Sequence, residues 1–174
     1  IGAGPSGLSA AYQLARMGHT VEVYEAGKEA GGLLRTGVPA YRLPKDILDA
    51  EIYRIKKMKV TIKLNHRVEN VLTEKQAGNF DAVYVSIGAQ LIHDEEFKHD
   101  NSVHITDAFD FFERSKTDPV PFTKKKVVVY GGGKLALYIS RIIKRFDSDT
   151  AVYFYGDQKM MPAYDYETED ALAE

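Results

Sequence analysis

Near the start of the chain, apolar residues recur three or four positions apart, as on one face of a helix. The members of this stripe are Leu8, Ala11, Leu14 and Ala15. They predict a helix from about Pro5 to Met17, and Gly18 is the expected stop signal. The β-prone run Thr20–Tyr24 then predicts a short strand.

Strand-like and helix-like segments continue to alternate along the chain. Pro44 fits the first position of a second amphipathic helix, which should end near Met58. The further predicted elements, in order, are strand Val60–Leu64, a short strand Val68–Val71, a helical turn Thr73–Ala77, a buried strand Asp81–Ile87, a surface loop 90–104 and a helix Thr106–Arg114. The proline-containing segment Asp118–Pro121 is expected to end a domain.

The opening pattern recurs after this boundary. Lys126–Tyr130 predicts a strand, and a helix Leu135–Phe146 and a strand Thr150–Tyr155 should follow it. The alternation predicts the α/β class, with two Rossmann-like βαβ units. We expect one domain over residues 1–121 and the start of a second over residues 122–174.

A glycine motif lies where the first predicted helix begins. Gly2, Gly4 and Gly7 form the pattern G-x-G-x-x-G, and Glu25 follows the next strand. In a βαβ unit these glycines allow a tight turn, a close approach to a pyrophosphate and close packing of helix on strand, while the acid accepts hydrogen bonds from a ribose. The alternative is a glycine-rich turn that binds nothing. Only Ile1 remains of the strand that should precede Gly2.

The second glycine motif has the variant pattern G-x-G-x-x-A. It consists of Gly131, Gly133 and Ala136, and it also connects a predicted strand to a predicted helix. Two such motifs in one chain are much more specific than one, and they favour one cofactor for each motif. Together they suggest a flavoprotein that transfers electrons.

A long irregular stretch, residues 26–43, lies between the first strand and the second helix. Long structured loops are usually functional. The paired glycines Gly31 and Gly32 would allow a second close approach of backbone to a ligand. Arg35 and Arg42 could pair with phosphates, or both could be surface residues, and their spacing does not decide between these alternatives.

Composition excludes several classes of function. The chain has 174 residues, a net charge of −2 and no cysteine. This composition favours no nucleic-acid partner and excludes disulfides, thiolate catalysis and cysteine-held iron–sulfur clusters within the chain. No apolar run is long enough to span a membrane, and we expect a cytoplasmic protein. The five histidines lie in predicted turns and loops without the spacing of metal ligands, so no metal site is predicted and the histidines should face solvent.

The motifs taken together resemble the glutamate synthase small (beta) subunit and related NAD(P)H-dependent flavin oxidoreductases of the pyridine nucleotide-disulfide oxidoreductase superfamily. The segments that carry the resemblance are Gly2–Leu8, Gly31–Arg35, Gly37–Lys45, Leu48–Ile52, Asp81–Ala89, Gly131–Gly133 and Met161–Ala163. Of these, Tyr41–Lys45 is the most discriminating.

The resemblance implies an FAD/NAD(P)-binding fold with FAD on the first motif and NAD(P)H on the second. The implied FAD contacts are Gly2, Gly4, Pro5, Ser6, Gly7, Glu25, Gly32, Leu33, Arg35, Val68, Gly88 and Ala89. The implied NAD(P)H contacts are Gly131, Gly133, Lys134 and Ala136. A hydride would pass from the nicotinamide to the flavin, and single electrons would leave through iron–sulfur clusters outside this chain to a partner subunit or a fused domain. No catalytic acid, base or nucleophile is implied.

The second motif departs from the pattern of the family. Lys134 and Tyr138 replace an asparagine and an aspartate, and Tyr155-Gly156 replaces an arginine pair that grips the 2′-phosphate of NADPH. We therefore expect little or no preference for NADPH, and only Asp157 could act as an acid that favours NAD. These changes also motivate an alternative, a non-catalytic flavin-binding or scaffold subunit with a degenerate NAD(P) site.

The resemblance further implies that the sequence is a fragment. The family has an upstream cysteine-rich region and a complete first strand, and its second nucleotide domain continues beyond the position of Glu174. We expect a fold truncated at both ends, in which the isolated fragment is inactive.

Overall fold

The computed structural model describes residues 1–89, 103–117 and 122–174. The chain forms two compact units, Ile1–Glu96 and Phe97–Glu174, which are described separately below. The predicted domain boundary Asp118–Pro121 lies outside the described residues, as does most of the predicted loop 90–104.

The first unit contains four helices and two strands among its described residues. In chain order these elements are α1 (Pro5–Arg16), β1 (Glu22–Tyr24), α2 (Leu33–Thr36), α3 (Lys45–Lys57), β2 (Thr61–Lys63) and α4 (Val71–Ala77). The predicted strand Val68–Val71 is wrong. Asn70 caps α4 instead, because its Oδ1 accepts the backbone N–H groups of Leu72 and Thr73, both at 3.0 Å.

Strands β1 and β2 are parallel, with Glu22 opposite Thr61 and Tyr24 opposite Lys63. The first two residues of the chain extend this arrangement, since Gly2 N–H donates to Tyr24 C=O at 2.8 Å. On the other side, Ser86 N–H donates to Ile1 C=O at 2.8 Å. The backbone order is therefore β2, β1, Ile1–Gly2 and then Ser86.

The predicted strand Asp81–Ile87 is not a regular strand in the structure. The Ile1 backbone nitrogen bonds Tyr84 C=O at 2.6 Å, and its carbonyl accepts from Ser86. These two hydrogen bonds place the segment beside Ile1.

The core of the first unit lies between α1, α3 and one face of the β1–β2 pair. Its main members are Ala3, Leu8, Ala11, Val23, Ala30, Leu48, Ile52 and Val60. The predicted stripe of α1 is correct at Leu8 and Ala11, whereas Leu14 is 37% exposed. This packing fixes the start of α1 beside the end of β1, which is where the glycine motif lies.

The second unit is built around a longer amphipathic helix. Its described elements are α5 (Ala108–Thr117), β3 (Lys126–Tyr130), α6 (Lys134–Arg145), β4 (Asp149–Tyr153), a 3-10 turn (Gln158–Met160) and α7 (Asp165–Ala173). Strands β3 and β4 are parallel, with Lys126 opposite Asp149 and Tyr130 opposite Tyr153. The sequence pattern predicts no helix or strand at the position of α7.

Helix α5 packs in the second unit. Phe111, Phe112 and Phe122 join Val129, Ala136, Tyr138, Ile139 and Ile143 in one buried cluster. Consequently α5 lies in the second compact unit, although it precedes the predicted boundary between residues 121 and 122. The assignment of residues 1–121 and 122–174 to an FAD-binding and an NAD(P)-binding domain stays a prediction.

The third position of the first glycine motif gives a test of this packing. A Cβ on Gly7 would lie closer than 3.0 Å to Gly2 O and Ser86 Oγ, whereas a Cβ on Gly133 would meet nothing within 4 Å. We expect Gly7→Ala to lower the free energy of unfolding by about 2 to 3 kcal/mol, because backbone atoms would have to move. Gly133→Ala, the matched control at a helix N-cap, should cost about 1 kcal/mol or less. Urea denaturation measures both values, and equal losses would contradict this description of the loop.

Candidate nucleotide-binding site

The first glycine motif forms a tight loop between Ile1 and α1. Gly2 has a φ of 99°, and a Cβ at this position would lie closer than 3.0 Å to Ser86 O. Gly4 is the N-cap of α1 and provides no side-chain cap. The first-turn amides of α1, at the positive end of its dipole, therefore remain for an anionic ligand such as a phosphate.

Glu25 lies at the end of β1, beside this loop. Its Oε2 accepts the N–H of Ala3 at 2.8 Å, and its Oε1 accepts the N–H of Gly27 at 2.7 Å. Its own backbone N–H donates to Lys63 C=O at 2.9 Å. The carboxylate is thus fixed at the edge of the loop, and its role as a ribose acceptor stays a prediction.

The paired glycines of the long irregular stretch contact the same loop. Gly31 N–H donates to Ala3 C=O at 2.8 Å. Gly32 has a φ of 52°, and a Cβ on it would lie 2.7 Å from the Cα of Gly4. The structure therefore brings together, around Ala3, three segments that were singled out separately in the sequence.

The Arg35 side chain is buried, and its guanidinium is held by a hydrogen bond and ion pairs. Its side chain is 11% exposed, its Nε donates to Ala30 C=O at 2.7 Å, and its guanidinium pairs with Asp49 and, at 3.4 Å, with Glu29. The surface alternative for Arg35 is therefore wrong. The guanidinium ties the glycine-containing stretch to α3, and its predicted contact with a cofactor stays a prediction, as does that of Leu33.

Two functional candidates were missed in the sequence. Ser86 Oγ lies 2.9 Å from Ile1 O and 3.2 Å from Gly2 O, so its hydroxyl binds the back of the loop. Tyr84 Oη lies 2.8 Å from Ser6 Oγ, at the start of α1. Tyr84 and Ser86 are two residues apart in the segment before Gly88, and alternation along such a segment puts both on one face. That spacing is a signal in the sequence that could have identified them.

Other predicted contacts lie away from these hydrogen bonds. Val68 is half-buried, Gly88 has a φ of 75° with open space around it, and Ala89 is exposed. Within the described part of the chain, none of the three takes part in the bonds that join the loop to Glu25 and Gly31. Their roles stay predictions.

The second glycine motif repeats the geometry of the first. Gly131 has a φ of 135°, and its N–H donates to Tyr153 C=O at 2.8 Å, as Gly2 does to Tyr24. Gly133 is the N-cap of α6, with extended backbone and no side-chain cap. Both following helices, α1 and α6, are 12 residues long. The second loop therefore also leaves the first turn of a helix for an anion.

The residues of the second unit that differ from the family pattern lie in α6 and after β4. Lys134, at the first position of α6, has its Nζ 4.0 Å from the ring centroid of Tyr164. Tyr138 donates to the buried Glu167 Oε1 at 3.0 Å, which ties α6 to α7. Tyr155 is 95% exposed. Asp157 Oδ1 accepts the N–H groups of Lys159 and Met160, so this carboxylate caps the 3-10 turn.

Charged groups elsewhere in the first unit serve the structure. Lys63 donates to Glu22 Oε2 at 2.7 Å, and this hydrogen bond, with one from Tyr24, lowers the pKa of the Glu22 carboxyl. His66 contacts Tyr24 at a tilted angle, with ring centroids 4.4 Å apart, and lies 3.2 Å from Glu74, while 39% of its side chain remains exposed. His93 and His99 lie outside the described residues.

Over residues 1–89, 103–117 and 122–174, no cluster of potential metal ligands was found. None of the helices described in these ranges is both long and apolar enough to cross a membrane.

Comparison with known proteins gives matches along the whole chain. A family model described as an NAD(P)-binding Rossmann-like domain matches residues 1–57. The beta subunit of an NADP(+)-dependent formate dehydrogenase from Moorella thermoacetica is 38% identical over 179 residues, covering 100% of this chain and 25% of the relative. The PreT subunit of NAD-dependent dihydropyrimidine dehydrogenase from Escherichia coli K12 is 38% identical over 146 residues, covering 83% of this chain and 35% of the relative. A chain of Cereibacter sphaeroides provisionally assigned as the NADPH glutamate synthase small chain is 31% identical, covering 100% of this chain and 45% of the relative.

Solved structures agree in fold. A 2-naphthoyl-CoA reductase complex matches 99% of this chain with a TM-score of 0.76 at 23% identity, over 25% of that reductase chain. Thioredoxin reductase of Lactococcus lactis matches 100% of this chain with a TM-score of 0.67 at 17% identity, over 60% of its chain. These similarities confirm the predicted α/β class with Rossmann-like nucleotide-binding units.

The relatives also confirm the resemblance seen in the motifs. They are subunits of NAD(P)-dependent oxidoreductases, some of them beta subunits, and a provisionally assigned glutamate synthase small chain is among them. This chain spans between 25% and 45% of the length of these relatives.

Proposed function

We propose that this chain carries the FAD site and the start of the NAD(P)H site of an oxidoreductase subunit. The complete protein would pass electrons from NAD(P)H through FAD to iron–sulfur clusters, or to a partner subunit or fused domain, outside this chain. The observation that carries the proposal is the presence of two glycine loops of like geometry, each at a strand end and a helix start. The oxidoreductase relatives support it.

The family model that matches residues 1–57 is named for NAD(P), so this match does not assign FAD to the first loop. FAD and NAD(P) share an adenosine diphosphate half, and that half is what a glycine loop and an acid recognise. The motif alone therefore does not separate them. Three points favour FAD: the close approach of Gly32 to Gly4, the presence of a second dinucleotide loop, and the motif-level resemblance to flavin oxidoreductases.

The residues of the first loop fit such a cofactor. Gly32 packs directly on Gly4, since a Cβ on Gly32 would lie 2.7 Å from the Gly4 Cα, and the missing side chain brings the irregular stretch up to the start of α1. The amides of the first turn of α1 would hold the pyrophosphate, and Glu25 would accept hydrogen bonds from the ribose. Bound FAD would supply the redox chemistry, accepting two electrons with a hydride and releasing them singly.

The second loop would hold the pyrophosphate of NAD(P)H through Gly131, Gly133 and Ala136. Ala136 N–H is already bonded to Gly133 C=O at 3.0 Å, which shapes the first turn of α6. Lys134 adds a positive charge at this position, held against Tyr164. In this proposal the side chains bind and orient nucleotides, and none of them transfers a proton.

The iron–sulfur clusters and the electron acceptor of this function would lie outside the chain. The chain holds no cysteine, so iron–sulfur clusters would be bound elsewhere in the complete protein. Since the relatives are two to four times as long, this chain would be one part of a larger subunit and would be inactive in isolation. We propose a cytoplasmic location for that subunit. The electron acceptor would be supplied by the partner subunit or fused domain.

A second candidate function is a non-catalytic flavin-binding or scaffold subunit. The observations that favour it lie in the second unit. Tyr138 is bound to Glu167 on α7, and Tyr155-Gly156 offers no guanidinium to a phosphate. If these changes abolish nucleotide binding, FAD would remain bound without being reduced by NAD(P)H.

Anaerobic titration of the FAD-loaded complete protein with NADH and with NADPH tests the proposed function. We expect at least one of them to bleach the visible absorbance of the flavin, because the hydride should pass to it. Dithionite, which reduces flavin without a nucleotide site, is the control for a competent cofactor. Bleaching by dithionite but by neither nucleotide would reject the enzyme and support the scaffold alternative.

The role of Glu25 gives a further prediction. Glu25→Ala should weaken FAD binding about tenfold or more, since a charged acceptor for the ribose hydroxyls is lost. Glu51→Ala, at an exposed position of α3, is the matched control and should leave FAD binding unchanged. FAD content after dialysis measures the effect, and a thermal scan by circular dichroism detects any loss of fold from the freed N–H groups of Ala3 and Gly27. Full FAD retention in Glu25→Ala would refute the assigned role.

A further inference from the structure

The two glycine loops can be compared residue by residue. Gly2 bonds Tyr24 C=O and Gly131 bonds Tyr153 C=O, each at 2.8 Å. Glu25 directly follows Tyr24, and Phe154 directly follows Tyr153. Phe154 is therefore the positional counterpart of Glu25, at the strand end where a Rossmann unit meets the adenosine ribose.

The two counterparts contact equivalent parts of their loops. In the first loop, the Glu25 carboxylate joins Ala3 and Gly27 by accepting an N–H group from each. In the second, the corresponding residues are Gly132 and Gly156. A Cβ on Gly132 would lie 3.0 Å from ring carbons of Phe154, and one on Gly156 would lie 3.7 Å from the same ring. A phenyl ring thus takes the place of the carboxylate.

We infer that Phe154 makes the second site indifferent to the 2′ position of the adenosine ribose, so that it accepts NADH and NADPH alike. This inference rests on the proposed function of the second loop. A carboxylate at this position accepts a hydrogen bond from the 2′-hydroxyl of NAD and repels the 2′-phosphate of NADP. A phenyl ring does neither, and it offers no positive charge to the phosphate either.

The neighbouring side chains do not replace the missing carboxylate. Asp157 lies beyond the strand end that Phe154 occupies, and its carboxylate belongs to the following turn, because its Oδ1 accepts the N–H groups of Lys159 and Met160 at 2.9 and 3.2 Å. Tyr155 is neutral and exposed, so its ring is free to stack on an adenine base without sensing the ribose. Lys159 is exposed in the turn capped by Asp157, where solvent screens its charge.

Calorimetric titration of the FAD-loaded complete protein tests the inference directly. The probes are AMP and adenosine 2′,5′-bisphosphate, which differ only in the 2′-phosphate, followed by NAD⁺ and NADP⁺. The unaltered protein should bind the two members of each pair with affinities within about threefold of each other, a difference of about 0.65 kcal/mol. Phe154→Glu should shift the ratio about tenfold or more towards AMP and NAD⁺, because it restores a charged acceptor.

Phe154→Gln is the matched control, since it restores polar atoms of similar shape without the charge. It should shift the ratio much less than Phe154→Glu, and it keeps the test decisive if the glutamate variant fails to fold. A preference greater than about tenfold in the unaltered protein, or an unchanged ratio in a folded Phe154→Glu, would overturn the inference alone. Absence of binding by all four probes to the FAD-loaded protein would instead overturn the proposed function of the second loop, and the inference with it.

Discussion

The structure of the first unit depends on the close approach of three backbone segments around Ala3. The N–H of Ala3 donates to Glu25 and its carbonyl accepts from Gly31, while Gly2 bonds Tyr24. Side chains at Gly2, Gly7 or Gly32 would each contact neighbouring backbone at less than 3.0 Å. Absence of these side chains is therefore the condition under which the loop, the acid and the start of α1 come together.

The second unit reuses this geometry with looser packing and different chemistry. Gly131 keeps the hydrogen bond to the end of the neighbouring strand, and α6 begins as α1 does. The third glycine is replaced by Ala136, whose Cβ would lie 3.8 Å from a Cβ on Gly131, an ordinary contact distance. Phe154 in place of Glu25 turns a hydrogen-bonded edge into an apolar one. The backbone that would receive phosphates is thus retained, whereas the side chain that would contact the ribose is changed.

Much of this arrangement could be predicted from the sequence, because glycine spacing and strand–helix alternation are local signals. The two loops, α1, α3, α6 and the position of Glu25 all follow from such signals. The burial and the ion pair of Arg35 could not be predicted. Its partners Ala30 and Asp49 are set by how the irregular stretch packs on α3. Similarly, Asp81–Ile87 has the composition of a strand but is not a regular strand, an outcome that local β propensity does not decide.

The central claim is that the two loops are separate sites for two different dinucleotides. Hydrogen-exchange mass spectrometry of the complete protein, with FAD alone and then with NAD⁺ added, tests this claim most directly. FAD should slow exchange in the peptides that contain Gly2–Leu8 and Gly31–Leu34, and NAD⁺ should slow exchange at Gly131–Leu137. Protection of the same loop by both ligands, or displacement of FAD by NAD⁺, would contradict the account.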